Sequence, residues 1–359
     1  MNSSPDITEF LSLIKQPAFY VCGNLITECN EAAQRLPIKP GTDITDLFAQ
    51  KSPQYDKFQS GYLFLSLCIH GAKVGATVTT HGNGKLFVLD TDEQITELKT
   101  LSLTAANIRP PLSAVIATTN SLSPLLEGSS DPKIAEHMDR INRHLYQLHR
   151  LLCNMSDVLQ YAEGASERMS CQDIVSLTRS IFQRSKIFAE YCGVSLKYNI
   201  PDESILCTID EQLLERGIFN MLSNAIKFSK KGSEVHASLV VQEKTLYITV
   251  CDNGSGIPPH LGSNIFHRYR RQPELEDSRY GMGLGLTLVR SAATVHGGTV
   301  LLDQPENGGT RICMNIPIRQ SGDLLLRSHR TPLDYTGGWD HALLEFSDIL
   351  PSHLYRSKN

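Results

Sequence analysis

A chain of 359 residues is too long for one ordinary hydrophobic core, so two or three domains are expected. With 41% hydrophobic and 20% charged residues it has the composition of folded globular material, which excludes disordered and fibrous classes. The formal charge of −4 offers no electrostatic reason for a nucleic-acid or anionic-membrane partner. Its nine cysteines are scattered and form no CxxC pair, which fits buried thiols in a reducing compartment rather than a disulfide frame or a zinc site. The longest apolar run, Tyr62 to Ile69, is much too short to span a bilayer, and the opening MNSSPDITEF lacks the basic and apolar regions of a leader. A cytoplasmic location without a transmembrane segment is expected.

Residues 1–90 mix short strand-like runs with turns. The runs AFYV and LITEC flank Gly23-Asn24, a hairpin turn signal; NEAAQRL has helical character, and GATVTT with GKLFVLD has strand character again. This arrangement resembles a small PAS-type sensor domain, with an unspecified α+β domain as the alternative.

Residues 91–163 carry two helices with a sustained heptad pattern. Leu98, Leu101, Ala105, Ile108, Leu112, Val115, Thr119 and Leu122 follow alternating three- and four-residue steps. Ile134, Met138, Ile141, Leu145, Leu148, Leu152, Met155, Leu159 and Ala162 repeat the pattern. Between them, Asp131 can cap the second helix and Pro132 suits its first turn. An antiparallel hairpin with such a stripe cannot bury it alone. Pairing of two copies into a four-helix bundle, hence a homodimer, is expected, the alternative being packing on the chain's own domains.

EGASER, Glu163 to Arg168, interrupts the pattern as a short linker. From 169 to 318 helical stretches (DIVSLTRSIFQRSKIFAEY, DEQLLERGIFNMLSNAIKF) alternate with strand-like runs (VHASLVV, TLYITVCD, GTVLLD, RICMNI), a mixed α/β layer pattern. Residues 319–359 form a tail. In it Trp339, Leu343, Leu344, Phe346, Ile349 and Leu350 make an apolar stripe on a short amphipathic helix, expected to dock on the chain itself rather than on a partner.

Four clusters in the third region carry chemistry. In NMLSNAIKF, Asn220 and Asn224 stand four apart on a helix with Lys227 one turn on, so two amides and an ammonium share a face suited to a hard cation and phosphate oxygens. In DNGSGIP, the Asp252 carboxylate at a strand end is followed by Gly254 and Gly256, which permit close approach of a flat ligand. IFHRYRR contains Arg268 and Arg271. GMGLGL places Gly281, Gly283 and Gly285 at a helix start, a natural phosphate seat. The glycine spacing is not that of a dinucleotide fold, because GxGxxG would need glycine at Leu286, and no GxxxxGK[ST] occurs.

Taken in order, these four clusters resemble the N, G1, F and G2 boxes of the sensor histidine kinase catalytic domain, the GHKL ATPase fold shared with gyrase and Hsp90. The resemblance covers about 150 residues and implies an α+β multidomain protein: a PAS-like domain, a dimeric hairpin bundle and a C-terminal α/β sandwich binding ATP and Mg²⁺. By resemblance Asn224 binds Mg²⁺, Asn220 and Lys227 lie near the phosphates, Asp252 binds adenine, and Gly254 and Gly256 admit the base. Phe228 lines the adenine pocket, Gly281, Gly283 and Gly285 anchor a lid, and Arg268 or Arg271 reaches the γ-phosphate. Asn307 to Thr310 matches the family's closing strands, which makes Thr310 a site residue. Hydrolytic members carry a glutamate base at the position of Asn220, where an amide cannot take up a proton as a carboxylate can. The kinase branch therefore fits better.

The first hairpin helix departs from the family. Where kinases carry H-E-x-R-T-P-L, this chain has ANIRPPL from Ala106 to Leu112. Ala106 stands where the phosphoacceptor histidine is expected and has no nitrogen to attack a phosphoryl group. Asn107 replaces the acidic residue and Pro110 the hydroxyl residue, while Arg109, Pro111 and Leu112 match. An engineered alanine would account for Ala106 alone. Pro110-Pro111 is expected to disturb the helix. His137, His144 and His149 lie beside the second helix's seam. The expectation is thus an ATP-binding pseudokinase, with a response regulator or another histidine kinase as partner. The alternatives are a kinase using an unconventional histidine or a partner chain, and an anti-sigma-type serine kinase.

Overall fold

The computed structural model describes residues 7–36, 38–50, 52–126, 131–160, 168–257, 284–306, 308–319 and 339–356. Helix α1 (Ile7–Ser12) leads into the hairpin of β1 (Ala18–Cys22) and β2 (Leu25–Cys29), which turns at Gly23 as the sequence anticipates. Helix α2 (Glu31–Gln34) is capped by Asn30, whose side-chain oxygen accepts from the Ala33 amide at 2.9 Å. After α3 (Pro53–Asp56) come β3 (Tyr62–Ile69), β4 (Ala72–His81) and β5 (Gly84–Leu89), giving the antiparallel order β2-β1-β5-β4-β3. Phe19, Val21, Tyr55, Leu63, Val78 and Phe87 fill its core, with Phe19 and Phe87 stacked at 4.9 Å.

Helices α4 (Asp92–Leu126) and α5 (Pro132–Gln160) run antiparallel, with mid-helix Arg109 donating to Ser156 near the end of α5 at 3.1 Å. Asp131 caps α5 by accepting from the Lys133 amide at 2.9 Å. The prolines do not end α4, which stays helical through Pro110, Pro111 and Pro124. Every residue from Ala106 to Pro111 is exposed, so water can satisfy the carbonyls that Pro110 and Pro111 leave without donors. The seam divides in two. Ala105, Leu112 and Thr119 of α4 and Leu145, Leu152 and Met155 of α5 are buried, whereas Ile108, Val115, Leu122, Ile141 and Leu148 are exposed. The side chains of Leu98 and Leu159 and the whole of Ala162 lie outside the described residues, as does most of EGASER.

The third region contains β6 (Ser170–Asp173), α6 (Ile174–Tyr191), β7 (Ser195–Asn199), β8 (Leu206–Ile209), α7 (Glu211–Phe228), β9 (Glu234–Gln242) and β10 (Thr245–Asp252). It continues with α8 (Gly285–Val295), β11 (Thr299–Asp303) and β12 (Thr310–Pro317). The sheet runs β11-β12-β10-β9-β7, with β7 parallel to β9 and the other pairs antiparallel; β6 and β8 pair separately. Ile181, Phe182, Ile218, Phe219, Leu222, Ile248, Ala292 and Met314 form the core between helices and sheet.

The two sheets are one. Strand β3 pairs antiparallel with β11, setting Phe64 opposite Val300 and Tyr62 opposite Leu302, so ten strands form a continuous sheet among the described residues. Pairing removes two edges that would otherwise template association. Arg290 of α8 pairs with Asp90 and lies over the Phe64 ring at 4.2 Å. Gln54 of α3 accepts from the Thr299 hydroxyl at 2.5 Å.

The tail docks on the chain, as expected. Helix α9 (His341–Glu345) and a 3₁₀ turn at 352–355 lie across α5, α6 and α7. Phe346 is fully buried between Phe188 and Phe219, with ring centroids at 5.4 and 5.9 Å. Trp339 stacks on His149 at 5.1 Å. Truncating Phe346 to Ala should therefore cost about 3 kcal/mol, measured by urea unfolding.

His296, at the end of α8, is buried; its Nε2 accepts from the Asp210 amide at 2.9 Å and its Nδ1 donates to the Ala292 carbonyl at 2.7 Å. Burial holds its pKa below the ordinary 6.5. The unfolded chain protonates first, so the stability from neutral His296 is complete above about pH 6.5 and is lost as pH falls through that value and below. Thermal midpoints should drop between about pH 7 and 5.5, and a His296→Gln variant should flatten that dependence.

Candidate functional site

Helix α7 begins at Asp210, whose carboxylate accepts from the Leu213 amide at 3.0 Å, and its interior turns bury Ile218, Phe219 and Leu222 against the sheet. Helical spacing leaves Asn220, Ser223, Asn224 and Lys227 on the opposite face. Asn224 is half-buried and Lys227 has 13% of its side chain exposed. The start of α8 meets this face at Gly285. A Cβ there would stand 2.9 Å from Asn220 Oδ1 and 3.6 Å from Asn224 Nδ2, so glycine is needed for the two helices to approach.

At the end of β10, Asp252 is 6% exposed and accepts from the Gly254 and Thr310 amides at 2.8 and 3.2 Å. Burial pushes its carboxyl pKa up, and the two amides oppose that shift. A Cβ on Gly254 would lie 2.5 Å from the Phe228 carbonyl, so the loop after β10 presses on the end of α7. Gly256 adopts φ +75°, and Phe228 is half-buried. Asn224, Phe228, Asp252, Gly254, Gly285 and Thr310 thus come from distant positions into one region where α7, α8 and two strand ends meet. Arg268, Arg271, Gly281 and Gly283 lie outside the described residues.

Asn220 has a setting the sequence did not foretell. It is fully buried, its Nδ2 donating to the Arg216 carbonyl at 2.9 Å and to Glu345 Oε2 at 3.2 Å, while its Oδ1 accepts from Arg150 Nη2 at 3.1 Å. Glu345, from the tail, is likewise fully buried and accepts from Arg216 Nε at 3.0 Å and Arg150 Nε at 3.1 Å. The tail therefore places a carboxylate beside the Asn220 amide. Two guanidinium groups hold this carboxylate. Arg150 Nη1 also reaches Asp348 at 2.9 Å, and Lys227 Nζ lies 3.6 Å from the same carboxylate oxygen.

Arg150, Glu345 and Asp348 were missed by sequence reasoning. The available signal was Glu345 set between Leu344 and Phe346 inside an apolar stripe, a charge that must find buried partners if the stripe docks. On α4, Ala106, Asn107 and Pro110 are all exposed.

The family of histidine kinase-, DNA gyrase B- and HSP90-like ATPases matches residues 209–320. The chain is 28% identical over 214 residues to the sensor protein KdpD of Clostridium acetobutylicum, covering 59% of this chain and 23% of that protein. It is 27% identical over 218 residues to the histidine protein kinase DivJ of Caulobacter vibrioides, covering 59% and 36%. Among solved structures, full-length ShkA in complex with AMPPNP has a TM-score of 0.50 at 20% identity, covering 62% of this chain and 46% of that one, a likeness of fold alone. Residues 209–320 therefore carry a histidine kinase-, DNA gyrase B- and HSP90-like ATPase domain, and the chain is similar to sensor histidine kinases over about three-fifths of its length. It spans well under half the length of these relatives, 23% of KdpD and 36% of DivJ. Among the described residues no helix is long and apolar enough to cross a membrane.

Breaking the buried cluster should be costly. Arg216→Ala leaves Glu345 one cation short and is expected to lose about 3 kcal/mol in urea unfolding.

Proposed function

We propose that this is a histidine-kinase-like signalling protein that binds Mg²⁺-ATP and is a pseudokinase at the usual hairpin position. The observation that carries the reading is the convergence of Asn224, Asp252 and Gly285 on one cradle, set against an exposed Ala106 on α4. The donor set fits the ligand. Asp252 is a buried carboxylate, fixed by two amides, that can accept an exocyclic amine. The Asn224 amide oxygen suits Mg²⁺, and Lys227 suits phosphate. The glycine start of α8 has backbone amides at a helix N-terminus, where anions are favoured. Bound Mg²⁺-ATP supplies a transferable phosphoryl group. The chain orients its adenine through Asp252 and its phosphates through α7 and α8. At Ala106 the hairpin offers no atom to receive that group.

The strand order β2-β1-β5-β4-β3 supports a PAS-like sensor reading for residues 1–90. The exposed half-seam of Ile108, Val115, Leu122, Ile141 and Leu148 supports dimerisation through the hairpin. A response regulator or another histidine kinase is the proposed partner. A second reading, a kinase with an unconventional acceptor, draws on the exposure of His137 and His144 on α5.

Incubation with γ-labelled ATP should leave the protein unlabelled while a fluorescent ATP analogue binds with Mg²⁺. Acid-labile label on α5 would instead establish the second reading. Asn224→Ala should weaken analogue binding at least about tenfold with an unchanged circular dichroism spectrum. Val115→Glu should convert a dimer to monomer in sedimentation experiments, and a monomeric parent protein would remove the dimer proposal.

A further inference from the structure

Arg150 belongs to the hairpin, yet its guanidinium is built into the face of α7 that carries the cradle. Two of its nitrogens are fixed by three hydrogen bonds: Nε on the buried Glu345, and Nη2 on Asn220 Oδ1 and on Ser223 Oγ at 3.4 Å. The remaining nitrogen, Nη1, points to Asp348, and Lys227, one turn beyond Asn224, approaches the same carboxylate oxygen. Arg150 is 8% exposed, whereas 38% of the Asp348 side chain is accessible. The arrangement is a two-cation seat, rigid on the cationic side, holding one accessible anion.

We propose that Arg150 and Lys227 form a phosphate seat of the nucleotide site, and that Asp348 of the tail is its resident carboxylate, displaced when the phosphates of a nucleotide bind. The inference rests on the nucleotide reading given above. The single Asp348 oxygen that Arg150 Nη1 and Lys227 share is an anionic acceptor that a phosphate oxygen can replace, and phosphate carries the greater charge. Displacement needs only the Asp348 side chain to swing away. Phe346 and Glu345 stay buried, so the tail keeps its grip on α5 and α7. Asp348 then lowers affinity for phosphate-bearing ligands by competing for both cations. Arg150, being part of α5, makes occupation of the seat felt directly by the helical hairpin.

The test compares the full chain with its Asp348→Asn variant, which keeps the side-chain shape and removes the charge. Binding of AMPPNP with Mg²⁺ and of adenosine is measured by calorimetry. AMPPNP should bind about threefold more tightly to the variant or better, while adenosine, which has no phosphate, should bind both equally. AMPPNP binding that is unchanged or weaker in Asp348→Asn overturns the seat and leaves the nucleotide reading standing. Equal tightening for adenosine also overturns it, since the effect would not act through phosphate. Failure of both ligands to bind either protein overturns the nucleotide reading and the seat together. Unchanged thermal midpoints identify the variant as folded.

Discussion

A carboxylate with no exposure, Glu345, is held between the guanidinium groups of Arg150 and Arg216 and the amide of Asn220. Burying a lone charge is prohibitive, so this one requires all its partners at once. The carboxylate and its partners come from three separate stretches: the tail, the second hairpin helix, and the helix with the two asparagines. The cluster is consequently a statement about placement. It fixes the hairpin against the ATPase domain, sets the rotation of Asn220 on its helix, and locks the tail across both. Phe346, next in sequence, drives the docking by apolar burial; the ionic partners decide the register in which it docks.

A second constraint acts at the edge of the ATPase sheet. The edge strand β11 is completed by β3, so the N-terminal domain continues the ATPase sheet rather than hanging from a linker. Arg290 adds a contact on α8, the same helix whose first residue, Gly285, presses on Asn220. The N-terminal domain, α8 and the asparagine face are therefore in continuous contact. The β3–β11 pairing is thus a direct physical connection between the two domains.

Much of this was legible beforehand because it rests on short-range chemistry. The Gly23-Asn24 turn, the Asp131 cap, α6, α7 and the four strands β9 to β12 all follow from local periodicity and capping. The residues of the proposed cradle, Asn224, Asp252, Gly254 and Gly285, were singled out by the resemblance of four motifs in order, and the structure brings them into one region where α7 and α8 pack. Strands β6, β7 and β8 escaped notice, since runs of four or five residues carry too little alternation to stand out. The heptad seam gave the apolar positions. It did not distinguish Leu112 and Leu145, which fill the chain's own hairpin and its contact with Leu284 and Leu288, from Val115 and Leu148, which remain exposed.

The sequence by itself determined the kinds of element, the order of the motifs, the residue types of the proposed cradle and the alanine at position 106, because each depends on neighbours within a turn or two of the chain. Only the tertiary structure decided that the two sheets merge through β3 and β11, that α4 runs unbroken past Pro110 and Pro111, and that Asn220 faces a buried ion cluster. These outcomes depend on partners far apart in sequence: Arg150 and Glu345 are 195 residues apart, and Phe64 meets Val300. No local pattern encodes such a pairing, and the requirement that buried charges and strand edges be satisfied selects it only once the chain has folded.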